Sequence, residues 1–200
     1  MARKIIGLIG GIGSGKSRVA AELARHGGIV ISGDKLGHQA LQDPDIKAAV
    51  IQRWGNGILD ADGNIDRHRL GKIVFADAKE RQALEKLAFP YIERRIGEEL
   101  IDKAKNNPRP AFVVLDAAVM LEAGWNKFCD RLVYVKAPRP IRLRRLAEQR
   151  GLDENEVAMR ENAQWPEAEK EKRADFVLDN SGSPEELNQQ VNELLEKLTG

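Results

Sequence analysis

The chain cannot form a disulfide within itself, because Cys129 is the single cysteine among 200 residues. A chain without a covalent staple depends on its core. At this length folding buries about 70% of the surface the unfolded chain exposes, enough for one domain with an elaboration. Such a chain fits a reducing compartment, the cytoplasm, with Cys129 as a buried filler. Charge of one sign is also lacking: Lys and Arg total 32 against 31 Asp and Glu, a formal net charge of +1. No overall field therefore draws the chain to nucleic acid or to an anionic membrane, and any anion site must be local. Near-zero charge without an obvious apolar seam points to a monomer. Hydrophobic runs of membrane length are missing as well. The run "AFVVLDAAVML" carries Asp116 and is short of the roughly 20 apolar residues of a spanning helix. "ARK" before "IIGLIGGIG" mimics a signal peptide, but Gly7 and Gly10 break the run and no small-residue cleavage pattern follows before Lys16 and Arg18, so it reads as structure. Internal repeats and low-complexity tracts are absent.

What is present is a series of short apolar runs, Ile5 to Ile9, Ile29 to Ser32, Ala111 to Leu115, Arg131 to Lys136 and Asp175 to Leu178. They are continuous rather than alternating, as strands buried on both faces of a parallel sheet are. Helical patterns separate most of them. Ser17 to Arg25 stops at Gly27-Gly28, Arg142 to Arg150 follows Pro138 and Pro140, and Ser183-Pro184-Glu185-Glu186 opens a helix running to Leu198 with a cap, a first-turn proline and a capping-box glutamate. This is a βαβ series, predicting an α/β fold with a five-stranded, mostly parallel sheet flanked by helices. Between Lys35 and Asn107 no strand pattern occurs. Asp43, Asp66 and Asp77 stand there as caps for helices such as "PDIKAAVIQRW" and "DAKERQALEKLAFPYIERRIGEEL", far more helix than a crossover needs. The reading is a helical insertion at 36–107 that contacts substrate, or else a packing elaboration. The mixed-sign stretch at 146–173 is a lid-like segment or a solvated helical pair. The core is then 1–35, 108–145 and 174–200.

Gly10-Gly11-Ile12-Gly13-Ser14-Gly15-Lys16-Ser17 fits G-x-x-x-x-G-K-[ST] between a strand and a helix, the context a phosphate-binding P-loop requires. Its glycines let backbone N–H groups converge on phosphate oxygens, and the helix start adds partial positive charge. Lys16 is expected at the β- and γ-phosphates and the Ser17 hydroxyl on Mg²⁺, with Gly11 through Arg18 lining the nucleotide. Asp34, after the second strand, and Asp116, after the third, either face the phosphates from the carboxyl edge of the sheet or cap following helices. In the first case Asp116 joins Ser17 at Mg²⁺. The N-K-x-D motif expected of a GTPase is missing, since Asn126-Lys127 is followed by Phe128 and Cys129, which argues against that class.

Taken together, "GLIGGIGSGKS", "GDKLGHQAL", "VVLDAAVMLEAGW" and "RENAQWPEAEKEKRADFVLDNSGSPEEL" resemble the dephospho-coenzyme A kinases over nearly the whole chain. The resemblance implies a P-loop kinase fold and ATP-dependent phosphorylation of the ribose 3′-hydroxyl of dephospho-CoA. It makes Asp34 similar to the family's base, Arg145 and Arg150 similar to arginines that meet ATP phosphates, and Asn180 part of the adenine-side loop. His38, Asp116 and Glu122 fall on the acceptor side, although His38 equally suits a packed histidine and the two arginines equally suit a charged helix surface. Ser32 replaces an Asp common in the family, Phe89 a His and Ala118 a Pro, which bears on the acceptor pocket rather than on the phosphate chemistry. Another small-molecule P-loop kinase, or a nucleotide-dependent switch protein, are the competing functions.

Overall fold

The structure, a computed structural model, describes residues 4–106 and 112–199. The expected insertion boundary at 107/108, the Ala111 start of the third strand and the outermost core residues 1–3 and 200 lie outside the described residues. The chain runs β1 (Lys4–Ile9), α1 (Lys16–Arg25), β2 (Ile29–Ser32), then α2 (Gly33–Ala40), α3 (Pro44–Trp54), α4 (Arg67–Ala76) and α5 (Ala78–Asn106). It continues with β3 (Phe112–Asp116), β4 (Arg131–Lys136), α6 (Arg139–Arg150), α7 (Glu154–Asn162), α8 (Glu167–Arg173), β5 (Phe176–Asp179) and α9 (Pro184–Thr199). Two compact units result: one is Gly33–Ile101, the other takes the rest of the chain.

The larger unit holds one sheet in the order β2-β3-β1-β4-β5. All its pairings are parallel, in keeping with the expected mostly parallel sheet. Every residue of β3 is buried, which is why its sequence is apolar from Phe112 to Leu115. Ile6, Leu8, Val114, Val133 and Val135 of the central strands pack with Val19 and Leu23 of α1 and with Leu187, Val191 and Leu194 of α9. Cys129 fills the space a side chain at Gly7 would need: a Cβ there would lie 2.6 Å from its sulfur. Burial pushes the thiol up to about 12.

Details of the expected pattern change: β1 begins one residue earlier, at Lys4, and β5 is shifted by one, to Phe176–Asp179. β3 ends one residue later than expected, so Asp116 lies in the strand, in register with Leu8 of β1 and Ser32 of β2. A turn and a short 3₁₀ segment, Trp125–Phe128, follow it; with no helix there to cap, the capping alternative for Asp116 falls. α6 begins at Arg139, with Pro140 in its first turn, where a missing N–H costs nothing.

The Gly33–Ile101 unit is helical. Leu59 and Ile65 form an isolated antiparallel bridge, the one strand-like feature among its described residues. Asp43 and Asp66 cap α3 and α4 through their side chains, as their positions predicted. Val50, Ile58, Leu70 and Val74 make its core. Outside that core Glu80 takes a two-pronged bond from Arg53 at 2.8 and 2.9 Å and a third from the Trp54 indole.

Candidate active site

The loop from Gly10 to Gly15 leaves β1 at the carboxyl edge of the sheet and enters α1. Gly13 and Gly15 have φ of 77° and 91°, the left-handed region that side chains resist. Their other faces are occupied as well. A Cβ on Gly13 would meet Leu146 of α6 at 2.9 Å, and one on Gly15 would collide with the Asn180 amide. The glycines thus serve two demands, a backbone open toward a ligand and close packing of α6 and the loop after β5 on the far side.

Lys16 is 9% exposed, and its Nζ donates to the Gly10 and Gly11 carbonyls at 3.1 and 3.2 Å. The Ser14 N–H donates to the Gly11 carbonyl, and the Gly15 carbonyl accepts the first helical bonds of α1. Ser17 and Arg18 are exposed at the start of α1. The Ser17 hydroxyl donates to Asp116 Oδ2 at 2.9 Å, joining residues 99 apart in sequence. One hydroxyl and one carboxylate, side by side at the end of a phosphate-type loop, are the hard oxygen donors that Mg²⁺ takes together with phosphate and water. No group of three or more His, Cys, Asp or Glu suited to a metal occurs among the described residues. The residues therefore fit a magnesium ion held largely by its nucleotide and not a metal caged by protein.

Asn180 is 1% exposed; its amide nitrogen donates to the Ser14 carbonyl at 2.8 Å. Its own carbonyl accepts from Arg145 Nη2 at 2.8 Å, and Arg145 Nη1 reaches Ser14 O at 3.5 Å. Burial, then the neighbouring cations Arg18 and Arg144, lower the Arg145 pKa from its ordinary value. Crowded cations with an inward-facing loop form a local positive field, which is what an anionic ligand relieves. The structure therefore brings together Gly11, Ile12, Gly13, Ser14, Gly15, Lys16, Ser17, Arg18, Asp116, Arg145 and Asn180.

The remaining expected residues are Arg150, Glu122, Asp34 and His38. Arg150 is exposed at the last position of α6, where its charge acts on half-buried Arg160. Glu122 sits in a buried junction: its Oε1 accepts from the Trp165 N–H at 2.7 Å and pairs with Lys170 Nζ at 3.0 Å. Lys170 also donates to Gln164, whose amide donates to the Ala118 carbonyl. Asp34 and His38 stand one turn apart on α2, both exposed, in the helical unit. His38 Nδ1 lies 3.4 Å from Arg67. Desolvation first, then Arg67, lower the His38 pKa, with Asp34 opposing.

Sequence reasoning missed Arg67, Arg142, Gln164, Glu167 and Lys170. Each takes its meaning from a partner far along the chain, and no local motif marks any of them. The closest available signal was composition, namely lysine and arginine inside runs otherwise at helical spacing.

The dephospho-CoA kinase family model matches residues 4–186. The chain belongs to the dephospho-CoA kinase family. A dephospho-CoA kinase from Geobacter sulfurreducens is 39% identical over 96% of this chain and 98% of its own length. A crystal structure of a Thermus thermophilus protein superposes with a TM-score of 0.80 at 37% identity, covering 100% of both chains. The dephospho-CoA kinase structure from Campylobacter jejuni has a TM-score of 0.68 at 24% identity, over 97% of this chain and 96% of that one, a likeness of fold. Membership makes this chain a phosphotransferase with an alcohol acceptor and ATP as donor.

Proposed function

We propose that the chain transfers the γ-phosphoryl group of ATP, bound with Mg²⁺, to the ribose 3′-hydroxyl of dephospho-CoA, the last step of coenzyme A synthesis. The observation that carries the reading is the Ser17–Asp116 pair at the mouth of the Lys16 loop, in a chain of this family. Backbone N–H groups of Gly11 to Lys16 bind the polyphosphate, and Lys16 exchanges its carbonyl partners for phosphate oxygens. Ser17 and Asp116 hold the magnesium ion, which when bound neutralises charge between the phosphates. Asn180 and Arg145 border the nucleotide.

Asp34 orients the acceptor hydroxyl and takes its proton. A bond forms from the 3′-oxygen to the γ-phosphorus, the bond from that phosphorus to the bridging oxygen breaks, and ADP leaves. Because the transition state is loose, positioning and charge stabilisation are the main contributions of the protein. Lys16 and Arg145 supply the latter. In this reading 36–107 is the CoA-side unit, with His38 near the acceptor, and 146–173 is a lid that brings Arg150 inward and excludes water, the competing nucleophile. Glu122 serves the acceptor side by fixing the segment after β3.

The protein acts as a cytoplasmic monomer. The lone cysteine and balanced charge support that reading, and no described helix is long and apolar enough to cross a membrane. Incubation with ATP, Mg²⁺ and dephospho-CoA, followed by mass measurement, tests the reaction: the acceptor gains one phosphoryl group. ADP release equal with and without dephospho-CoA, and an acceptor of unchanged mass, would refute it.

A further inference from the structure

Arg142 is charged, 4% exposed, hydrogen-bonded to two carbonyls and ion-paired with two carboxylates. Nε donates to the Ala137 carbonyl at 3.2 Å, and Nη1 donates to the Ile12 carbonyl in the phosphate loop at 3.0 Å. Nη1 also lies 2.8 Å from Glu161 Oε1, and Nη2 lies 2.5 Å from Glu167 Oε1. A buried guanidinium needs compensating charge, and here two carboxylates supply it, one from α7 and one from α8. Glu161 is shared with Arg139, and the Tyr134 hydroxyl donates to Glu167, so the carboxylates are themselves held. This assembly presses directly on the loop. A Cβ on Gly11 would run into the Glu167 carboxylate and stand 3.0 Å from Arg142 Nη1.

The bond to Ile12 acts through peptide geometry. The carbonyl of residue 12 and the N–H of residue 13 share one rigid trans plane and point in opposite directions. A guanidinium that fixes the Ile12 oxygen therefore also fixes the direction of the Gly13 N–H. We propose that Arg142 is a positioning residue for the donor polyphosphate: held by Glu161 and Glu167, it orients the Ile12–Gly13 peptide so that the Gly13 N–H faces the phosphates before nucleotide arrives. It touches no reacting atom. Lysine could keep the charge pairing but lacks the planar fork needed to meet two carbonyls and two carboxylates together. The inference rests on the loop being the ATP phosphate site.

The test is calorimetric binding of ADP to the full-length wild type and to Arg142→Met, Arg142→Lys and Glu167→Gln. Steady-state kinetics and thermal melts accompany it. Arg142→Met is expected to weaken ADP binding and raise KM for ATP about tenfold, the scale of one lost charge-assisted hydrogen bond, while KM for dephospho-CoA stays within about twofold. Arg142→Lys falls between Met and wild type, and Glu167→Gln, which loosens the guanidinium without removing it, shows the smallest loss. Should Arg142→Met not fold, the Lys and Gln variants decide alone. Folded variants that melt at lower temperature but bind ADP as wild type does would overturn the proposal, leaving Arg142 a stabilising residue only. A wild type that fails to bind ADP would instead refute the phosphate-site reading beneath it.

Discussion

The two units handle charge in opposite ways. Among the described residues, the buried polar and charged side chains are Ser14, Lys16, Asp116, Arg142, Lys170 and Asn180, and all belong to the sheet unit. The helical unit keeps its ion pairs, Arg53–Glu80 and Arg94–Glu98, at the surface, where such pairs add little to stability. Desolvated charge is costly and persists only when fully partnered. Lys170 apart, the sheet unit accepts that cost around one loop, which is what a rigid, preorganised phosphate site needs. The helical unit instead resembles an ordinary helical module with polar groups such as Asp34 and His38 left in solvent.

The largest effects should come from one residue in each unit. Asp34→Asn keeps size and hydrogen-bonding capacity but cannot accept a proton, so phosphoryl transfer should fall by roughly 10² to 10⁴ with ATP binding unchanged. Transfer within a few-fold of wild type would remove Asp34 from the chemistry. Lys16→Ala should cost on the order of 10²-fold or more, and unlike Asp34→Asn it should weaken ATP binding too; isothermal titration separates the two.

Within the sheet unit, Arg145 and Arg150 sharpen the contrast between preorganised and solvent-borne charge. Arg145 already sits on the Ser14 and Asn180 carbonyls, so Arg145→Ala should damage ATP affinity and kcat together, by about tenfold each. Arg150 is exposed, so Arg150→Ala should lower kcat and spare affinity. Identical kinetics for the two variants would erase the distinction.

Stability offers the next comparison. Lys170→Met leaves Glu122 buried without its cation, and breaking such a pair costs about 3–5 kcal/mol, a large drop in a thermal melt. Arg94→Ala in the helical unit should leave the melt unresolved from wild type. Comparable losses would mean the two surroundings do not differ as described.

The smallest effect concerns His38. Its folded pKa lies below the ordinary 6.5, so the unfolded chain binds the proton more readily. Its contribution to stability is then present above pH 6.5 and is lost as pH falls through the folded value. Melting temperature should decline slightly below pH 6.5 in wild type, and His38→Gln should remove that increment; an unchanged slope would contradict it.

Legibility followed chain distance. The phosphate loop, β2, β4 and the caps at Asp43, Asp66 and Ser183 were readable because each signal occupies a few adjacent residues. β3 and β5 slipped by one position, since an apolar run marks burial better than it marks the residue where pairing ends. Arg142 was unreadable: in "RPIRLRRLAEQRG" it is one arginine of five, and only folding brings it to Ile12, 130 residues earlier. No local signal showed that Lys170 and Trp165 are the partners of the Glu122 carboxylate.

The sequence alone determined the parallel α/β sheet, the phosphate loop with its Lys-Ser helix start, and the family. Periodicity, glycine conformation and capping are local properties of the chain, and they survive without knowledge of what packs where. Only the tertiary structure decided that Asp116 lies within β3 and binds Ser17, that Arg145 and Asn180 meet at Ser14, and that Arg142 and Lys170 are buried. Those outcomes depend on which carboxylates and carbonyls compensate each charge once water is removed. Compensation of that kind joins residues on separate elements of the chain and is a property of no stretch of sequence by itself.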